Sequence, residues 1–186
     1  MPIALTKEQI LGALPSIERG LRKYFWIQSE VALGAARVSD RDFQKKFNGF
    51  YRIRRNQEWQ ATYYGLFASK LLTGIEFREG LDFMLEKTGR FEASFISKLV
   101  ATIHPSKYVI DSMVLRNVGL ALPLANASDR IKRICRIHET LDEMCNSFLG
   151  TELGRFLVEH FRKTYPWANI TEAKMLDLVL WQIRQQ

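Results

Sequence analysis

Cysteine is scarce in this sequence: Cys135 and Cys145 are its only two. Ten residues apart in a helical region, they make no paired framework. They read as buried thiols in a reducing compartment and not as the staples of a secreted domain. No Cys/His spacing suggests zinc, and His104, His138 and His160 are scattered. Each histidine reads as a surface or internally satisfied side chain, and no metal is expected. No apolar run is long enough to span a bilayer, and the opening MPIALTKEQI lacks the apolar core and cleavage site of a signal peptide. The expectation is a cytoplasmic protein that enters no membrane. No stretch alternates long enough to argue a strand. There is also no P-loop, dinucleotide-binding glycine pattern, zinc-deaminase signature or nucleophile elbow. Most phosphate-binding enzyme folds are thereby excluded, and no cofactor is expected.

Acids are outnumbered. Against 27 Lys and Arg stand 20 Asp and Glu, a net charge of +7, which favours a polyanionic partner. The apolar share of 47% in 186 residues is enough for a core. The pattern predicts a single all-α domain, a compact bundle of about nine or ten helices. Two lobes are the variant, with a boundary near residues 120–127, where the loop LALPLANAS carries Pro123 and Asn126.

Helix starts and stops organise the chain. Thr6 and Gln9 make a capping-box pattern for a short first helix. A long helix is expected from Ile17 to about Ala36, with Trp26 off its main apolar stripe. Ser39-Asp40 caps the next, from Arg41 to about Arg55, whose apolar face is Phe43, Phe47, Phe50 and Tyr51. Six basic residues, Arg41, Lys45, Lys46, Arg52, Arg54 and Arg55, flank that face against the single acid Asp42. They are either a solvated flank or an edge that binds phosphates. Further helices are read after Asn56, over residues 75–87, after Ser128-Asp129 for about twenty residues, from Leu153 to Arg162, and after Thr171. Arg130, Lys132, Arg133 and Arg136 form a second basic cluster.

The central segment is TGRFEASFISKLVATIHPSKYVIDSMVLRNVG, from Thr88 to Gly119. Gly89 suits the positive φ that ends a helix. Phe95, Ile96, Leu99, Val100 and Ile103 then mark one apolar stripe. His104-Pro105 stops that helix, Tyr108-Val109-Ile110 is a short extended run, and Asp111-Ser112 opens another helix that Gly119 closes.

This order resembles the helix-hairpin-helix DNA glycosylases, and within them bacterial 8-oxoguanine DNA glycosylase-like proteins. In that superfamily a Val-Asp-Thr/Ser-x-Val segment holds the catalytic aspartate; Val109-Ile110-Asp111-Ser112-Met113-Val114 stands in its place. The sequence departs from the pattern at Phe91, where the hairpin's second glycine is expected, and at Ala93, where the lysine nucleophile is expected. Lys98 lies five residues on, about 500° around the helix.

The resemblance implies a DNA-binding N-glycosylase that excises a damaged or modified base. Asp111 would stabilise the sugar cation, although Asp-Ser is also an ordinary N-cap. Lys98 is either a solvated lysine off the apolar stripe or, if desolvated, an amine able to form a Schiff base. Glu92 is a candidate helix cap or second acid. The amides around Gly89 and Arg90 would bind a DNA phosphate together with Lys45, Lys46, Arg52, Arg54 and Arg55. Trp26, Tyr51, Trp59 and Trp167 are candidates for a pocket that receives the base, each also readable as core. The alternative function is a non-catalytic module of the same hairpin type that binds nucleic acid or protein.

Overall fold

The computed structural model describes residues 3–183, among which all regular structure is helical, with eleven α-helices and no strand. Nine of the helices have seven or more residues. The chain forms two compact units, one of residues 22–104 and one made by the segments up to Leu21 and from Pro105 onward.

In the first unit the helices are α2 (Glu18–Ala32, entering from the preceding segment), α3 (Ala35–Val38), α4 (Arg41–Tyr51), α5 (Gln57–Lys70), α6 (Phe77–Thr88) and α7 (Ala93–Ile103). The single helix expected to run to Ala36 is broken by Gly34, whose φ of 101° no helix accommodates. Asp40 caps α4 as expected, its Oδ1 accepting from Asp42 N–H (2.7 Å) and Phe43 N–H (3.3 Å). However, α4 ends at Tyr51 and not near Arg55. Arg52 turns left-handed (φ 55°, ψ 41°), and Ile53 N–H bonds back to the Asn48 carbonyl at 2.9 Å. That is a Schellman-type stop, with the buried Ile53 as its apolar anchor. Arg54 and Arg55 therefore lie on the connection to α5. Asn56 caps α5 through Trp59 N–H at 3.0 Å. Phe43, Phe47, Tyr63, Tyr64 and Phe67 form an aromatic core between α4 and α5. The Tyr64 hydroxyl reaches both Gln44 O (3.2 Å) and Asn48 Oδ1 (2.8 Å). Helices α6 and α7 cross so closely at Gly80 that an added Cβ would stand 2.7 Å from Ile96 Cγ2.

The second unit holds α1 (Lys7–Ala13), a 3-10 turn (Leu14–Ser16), α8 (Ser112–Asn117), α9 (Arg130–Leu149), α10 (Glu152–Thr164) and α11 (Glu172–Gln182). The capping box at Thr6 is present in both directions, at 2.9 and 3.2 Å. Thr151 and Thr171 cap α10 and α11. Asp129, expected to cap α9, does not: its backbone is left-handed (φ 51°) and its side chain makes no capping bond. The Tyr165 hydroxyl donates to the Leu14 carbonyl. Asn117 Nδ2 donates to the carbonyls of Leu180 (2.7 Å) and Ile183 (3.1 Å), tying α8 to the end of α11. Within α11, Lys174 and Asp177 are a buried ion pair at 2.6 Å. Cys145 is buried while Cys135 is only partly covered. Burial, with Asp177 and Asp142 nearby, pushes the Cys145 thiol above its usual range.

Helices α9 and α10 meet through Gly154, where an added Cβ would lie 2.2 Å from the Phe148 carbonyl oxygen and 2.6 Å from Leu149 Cα. Backbone cannot step aside as a side chain can. Gly154→Ala is therefore expected to destabilise by more than about 2 kcal/mol, despite a helix-propensity gain of about 1 kcal/mol. Thermal melting should fall by at least about 4 °C. Gly12→Ala is the control, since its Cβ meets nothing within 4 Å. Equal melting of the two variants would refute the close approach.

His138, buried on α9, bonds the Tyr108 carbonyl through Nε2 at 3.3 Å. A carbonyl only accepts, so the ring proton sits on that nitrogen. Burial pushes the imidazole below its usual range, as Lys107 does more weakly, while Asp142, the Tyr108 carbonyl and Glu139 pull the other way. The unfolded chain then binds this proton first. His138 contributes stability that is complete above pH ~7 and declines as pH falls through about 6.5. His138→Gln keeps a donor and removes the titration. Its denaturation free energy should lose less between about pH 7 and 5 than the wild type's; identical slopes would exclude His138 as the source.

Candidate functional site

The hairpin of the first unit is α6, a short turn and α7. Gly89 takes φ 67° and its N–H returns to the Leu85 carbonyl at 2.8 Å, ending α6 as the sequence indicates. Arg90 is exposed beside it and Phe91 is partly covered. Glu92 stands at the N-cap of α7, yet its side chain caps nothing. Its φ of −93° and ψ of 46° lie outside the extended region that capping side chains use. The buried carboxylate is bonded instead by Trp59 Nε1–H at 3.0 Å and by the Arg55 guanidinium at 3.1 Å.

Around that carboxylate the rings and cations interleave. Trp59 stacks on Tyr63 with centroids 4.9 Å apart and planes 15° from parallel. The Arg55 guanidinium carbon is 5.0 Å from the Phe95 ring centroid, and Lys98 Nζ is also 5.0 Å from it. Lys98 is not the solvated lysine of one sequence reading: only 5% of it is exposed. The Tyr63 hydroxyl donates to the Phe95 carbonyl at 3.0 Å. Burial first, then the Tyr64 and Tyr51 phenols, push it well above its usual range and keep it a neutral donor. Tyr51 and Trp59, candidates for a base pocket, are both buried; the Tyr51 hydroxyl is 3.3 Å from Thr102 Oγ1.

The basic residues of the sequence cluster are divided by the turn at Arg52. Arg52 and Arg54 are exposed, and Arg55 is drawn in to Glu92. Lys45 and Lys46 belong to a separate cleft of about 560 Å³ between α2 and α4, lined also by Arg22, Lys23, Trp26, Ile27, Asp42 and Gly49. Lys46 Nζ stands 4.1 Å over the Trp26 ring and pairs with Asp42 at 2.8 Å. Arg22 and Lys23 were not singled out in the sequence. Their spacing to Trp26, four and three residues along one helix, is the signal that groups them.

Asp111 belongs to the second unit. It is the N-cap of α8, in extended backbone (φ −129°, ψ 148°), and its Oδ1 accepts from Met113 N–H at 2.9 Å. Tyr108, Val109 and Ile110 before it are all buried, whereas Asp111 itself is partly exposed. The carboxylate thus sits at the edge of an apolar run with one oxygen held by the cap. Trp167, in the same unit, is 44% exposed. On α9, Lys132, Arg133 and Arg136 are exposed, with Arg136 3.6 Å from Glu139. Among the described residues no cluster of three His, Cys, Asp or Glu is arranged to hold a metal, and no helix is long and apolar enough to cross a membrane.

No family model, no curated protein and no solved structure matches this chain.

The Glu92 arrangement carries a stability prediction. Glu92→Ala strands a buried indole N–H and a half-covered guanidinium, so a loss of about 2–3 kcal/mol is expected, or roughly 5–10 °C in melting temperature. Glu92→Gln keeps an acceptor for Trp59 and should cost about half as much. If both variants melt within a degree or so of the wild type, the buried carboxylate does not hold the hairpin turn.

Proposed function

We propose that the protein binds DNA and hydrolyses the N-glycosidic bond of a damaged or modified base, with Asp111 as the group that stabilises the sugar. The observation that carries this reading is the placement of Asp111. It follows a buried extended run and heads α8, with Oδ1 fixed on the Met113 amide. A carboxylate so anchored loses little further freedom when a sugar arrives. Support also comes from the hairpin, with its left-handed Gly89, and from the surplus of positive charge on the chain.

The chemistry asks for little else. As the C1′–N bond breaks, its electron pair leaves with the base and positive charge grows on the sugar ring. A carboxylate about 4 Å away, at an effective dielectric of 20, is worth roughly 4 kcal/mol, about a thousandfold in rate. Water then adds to C1′ and gives up a proton, and the departing base takes one.

A second reading, in which Lys98 attacks C1′ and forms a Schiff base, is favoured by one observation: its amine is buried against Phe95 and not solvated. Desolvated lysines are the ones that serve as such nucleophiles. Ala93, at the place where the resembled family carries its lysine, favours the hydrolytic route.

Asp111→Asn separates catalyst from cap. Asparagine caps about as well as aspartate, so the variant should fold, melt within a few degrees of the wild type for a cost of ~1 kcal/mol or less, and bind DNA normally. Excision measured on oligonucleotides carrying oxidised, deaminated or alkylated bases should fall about a hundred- to thousandfold. An Asn variant as fast as the wild type would make Asp111 structural. A wild type that binds these DNAs and excises nothing would leave the non-catalytic binding module. Borohydride trapping of a covalent adduct, lost in Lys98→Ala, would replace hydrolysis by the Schiff-base route.

A further inference from the structure

The cleft between α2 and α4 is not accounted for by excision at Asp111. Its walls carry Arg22 and Lys23 from one helix and Lys45 and Lys46 from the other, against the single carboxylate of Asp42. Its floor is apolar: the Ile27 side chain is buried, and the Trp26 indole is backed by the Phe43 ring at 6.1 Å. A volume of about 560 Å³ lies within the range of sites that take a small ligand, ~300–1,000 Å³. Cations around one flat aromatic face are the combination that holds single-stranded nucleic acid, phosphates on the charges and a base on the ring.

We propose that this cleft seats one unpaired nucleotide of single-stranded DNA, its base on the Trp26 indole and its phosphates among Arg22, Lys23 and Lys45. The proposal rests on the DNA-binding reading above for the identity of its partner. Lys46 fits the role of a displaceable cover. Its ammonium occupies the ring face at 4.1 Å, held by an Asp42 pair in which both side chains are at least half exposed. Exposed pairs of this type hold weakly. A base that stacks on Trp26 displaces the ammonium, which then turns to the adjoining phosphate. Positive charge alone would attract any polyanion; the indole face is what selects an unstacked base over a duplex.

Gly49 offers a way to close the cleft without harming the fold. It lies on its wall, within α4, and an added Cβ would meet no atom within 4 Å. Gly12 and Gly65 are equally unhindered, so Gly49 serves here as a probe and not as an argument. A side chain at this helical position also raises helix propensity.

The test is fluorescence anisotropy with a labelled oligothymidylate about twelve nucleotides long and a blunt duplex of similar length. Trp26→Ala should weaken oligothymidylate binding about 5- to 100-fold and duplex binding less than about twofold. Its salt dependence should be unchanged, because no charge is removed. Gly49→Glu should fold, by circular dichroism and melting, and lose oligothymidylate binding at least as severely. Binding by both variants equal to the wild type's overturns the proposal. So does an equal loss on single strand and duplex, which marks a general basic surface, or wild-type affinity for polyglutamate as high as for oligothymidylate, which marks an acidic-peptide site. A wild type that excises a base from duplex DNA yet ignores oligothymidylate sinks the cleft alone. One that binds oligothymidylate through Trp26 and excises nothing sinks the excision reading alone. Binding to neither DNA sinks both.

Discussion

A helix buried on every side must provide for whatever polar side chains it carries, because no face of it reaches water. Each unit contains one such helix. In α7 the residues from Ile96 to Thr102 are all buried, and in α11 those from Ala173 to Leu180 are. Four of their polar side chains are met locally. Ser97 and Thr102 turn back onto the Ser94 and Lys98 carbonyls, at 2.9 and 2.6 Å. Lys174 and Asp177, three apart and hence on one face, pair at 2.6 Å. Breaking such a pair by removing one partner leaves a charge with neither water nor counter-ion, typically a loss of about 3–5 kcal/mol. Two of the helices around them carry clean stripes: Phe43, Phe47, Phe50 and Tyr51 on α4, and Leu157, Val158 and Phe161 on α10.

This explains where the sequence was legible. Caps are local chemistry, a short side chain reaching an amide two or three residues away, and Thr6, Asp40, Asn56 and Thr171 all cap as they read. Helices α4 and α10 show their stripes for the same reason of locality. On a buried helix a stripe marks only part of what is buried, since the opposite face is covered as well. On α7 the stripe of Phe95, Ile96, Leu99, Val100 and Ile103 is real, but Lys98, Ala101 and Thr102, off it, are as deeply buried as those on it. Lysine at position 98 therefore reads as solvated and is not. Helix ends set by tertiary packing were equally hidden. Nothing in Arg52 or Asp129 announces a left-handed backbone; at Arg52 the reason lies one residue on, in the burial of Ile53.

The candidate sites divide along the same line. Asp111 could be picked out because its setting is a contiguous pattern: an apolar run, a cap and a helix. The Glu92 cradle could not, since its partners Trp59 and Arg55 lie 33 and 37 residues away. Until those partners are known, a glutamate at a helix start reads as a cap or an acid. The cleft around Trp26 was half legible. Lys45 and Lys46 stood out by charge density and Trp26 by lying off its stripe, but only the packing of α2 on α4 shows that they face one another.

Net charge is a poor guide to where a polyanion would touch, because it does not say which cations are paired and which are not. Arg55 is spent on Glu92, Lys107 on Asp142, Lys174 on Asp177 and Arg162 on Glu172. Each of these pairs adds nothing to the net charge of +7, and its field is largely cancelled at a distance. What remains for a partner to feel is the unevenly placed remainder. On the first unit that remainder includes Lys23 and Lys45 on the cleft and Arg52 and Arg54 beyond the end of α4, all exposed. Such cations act through a screening length of about 8 Å at physiological salt. An approaching phosphate backbone thus responds to this local grouping and not to the sum over the chain. The left-handed turn at Arg52 then matters for binding as well as for folding. By ending α4 early it sends Arg55 inward to brace the hairpin and leaves Arg52 and Arg54 outside, so that one short basic run serves two purposes.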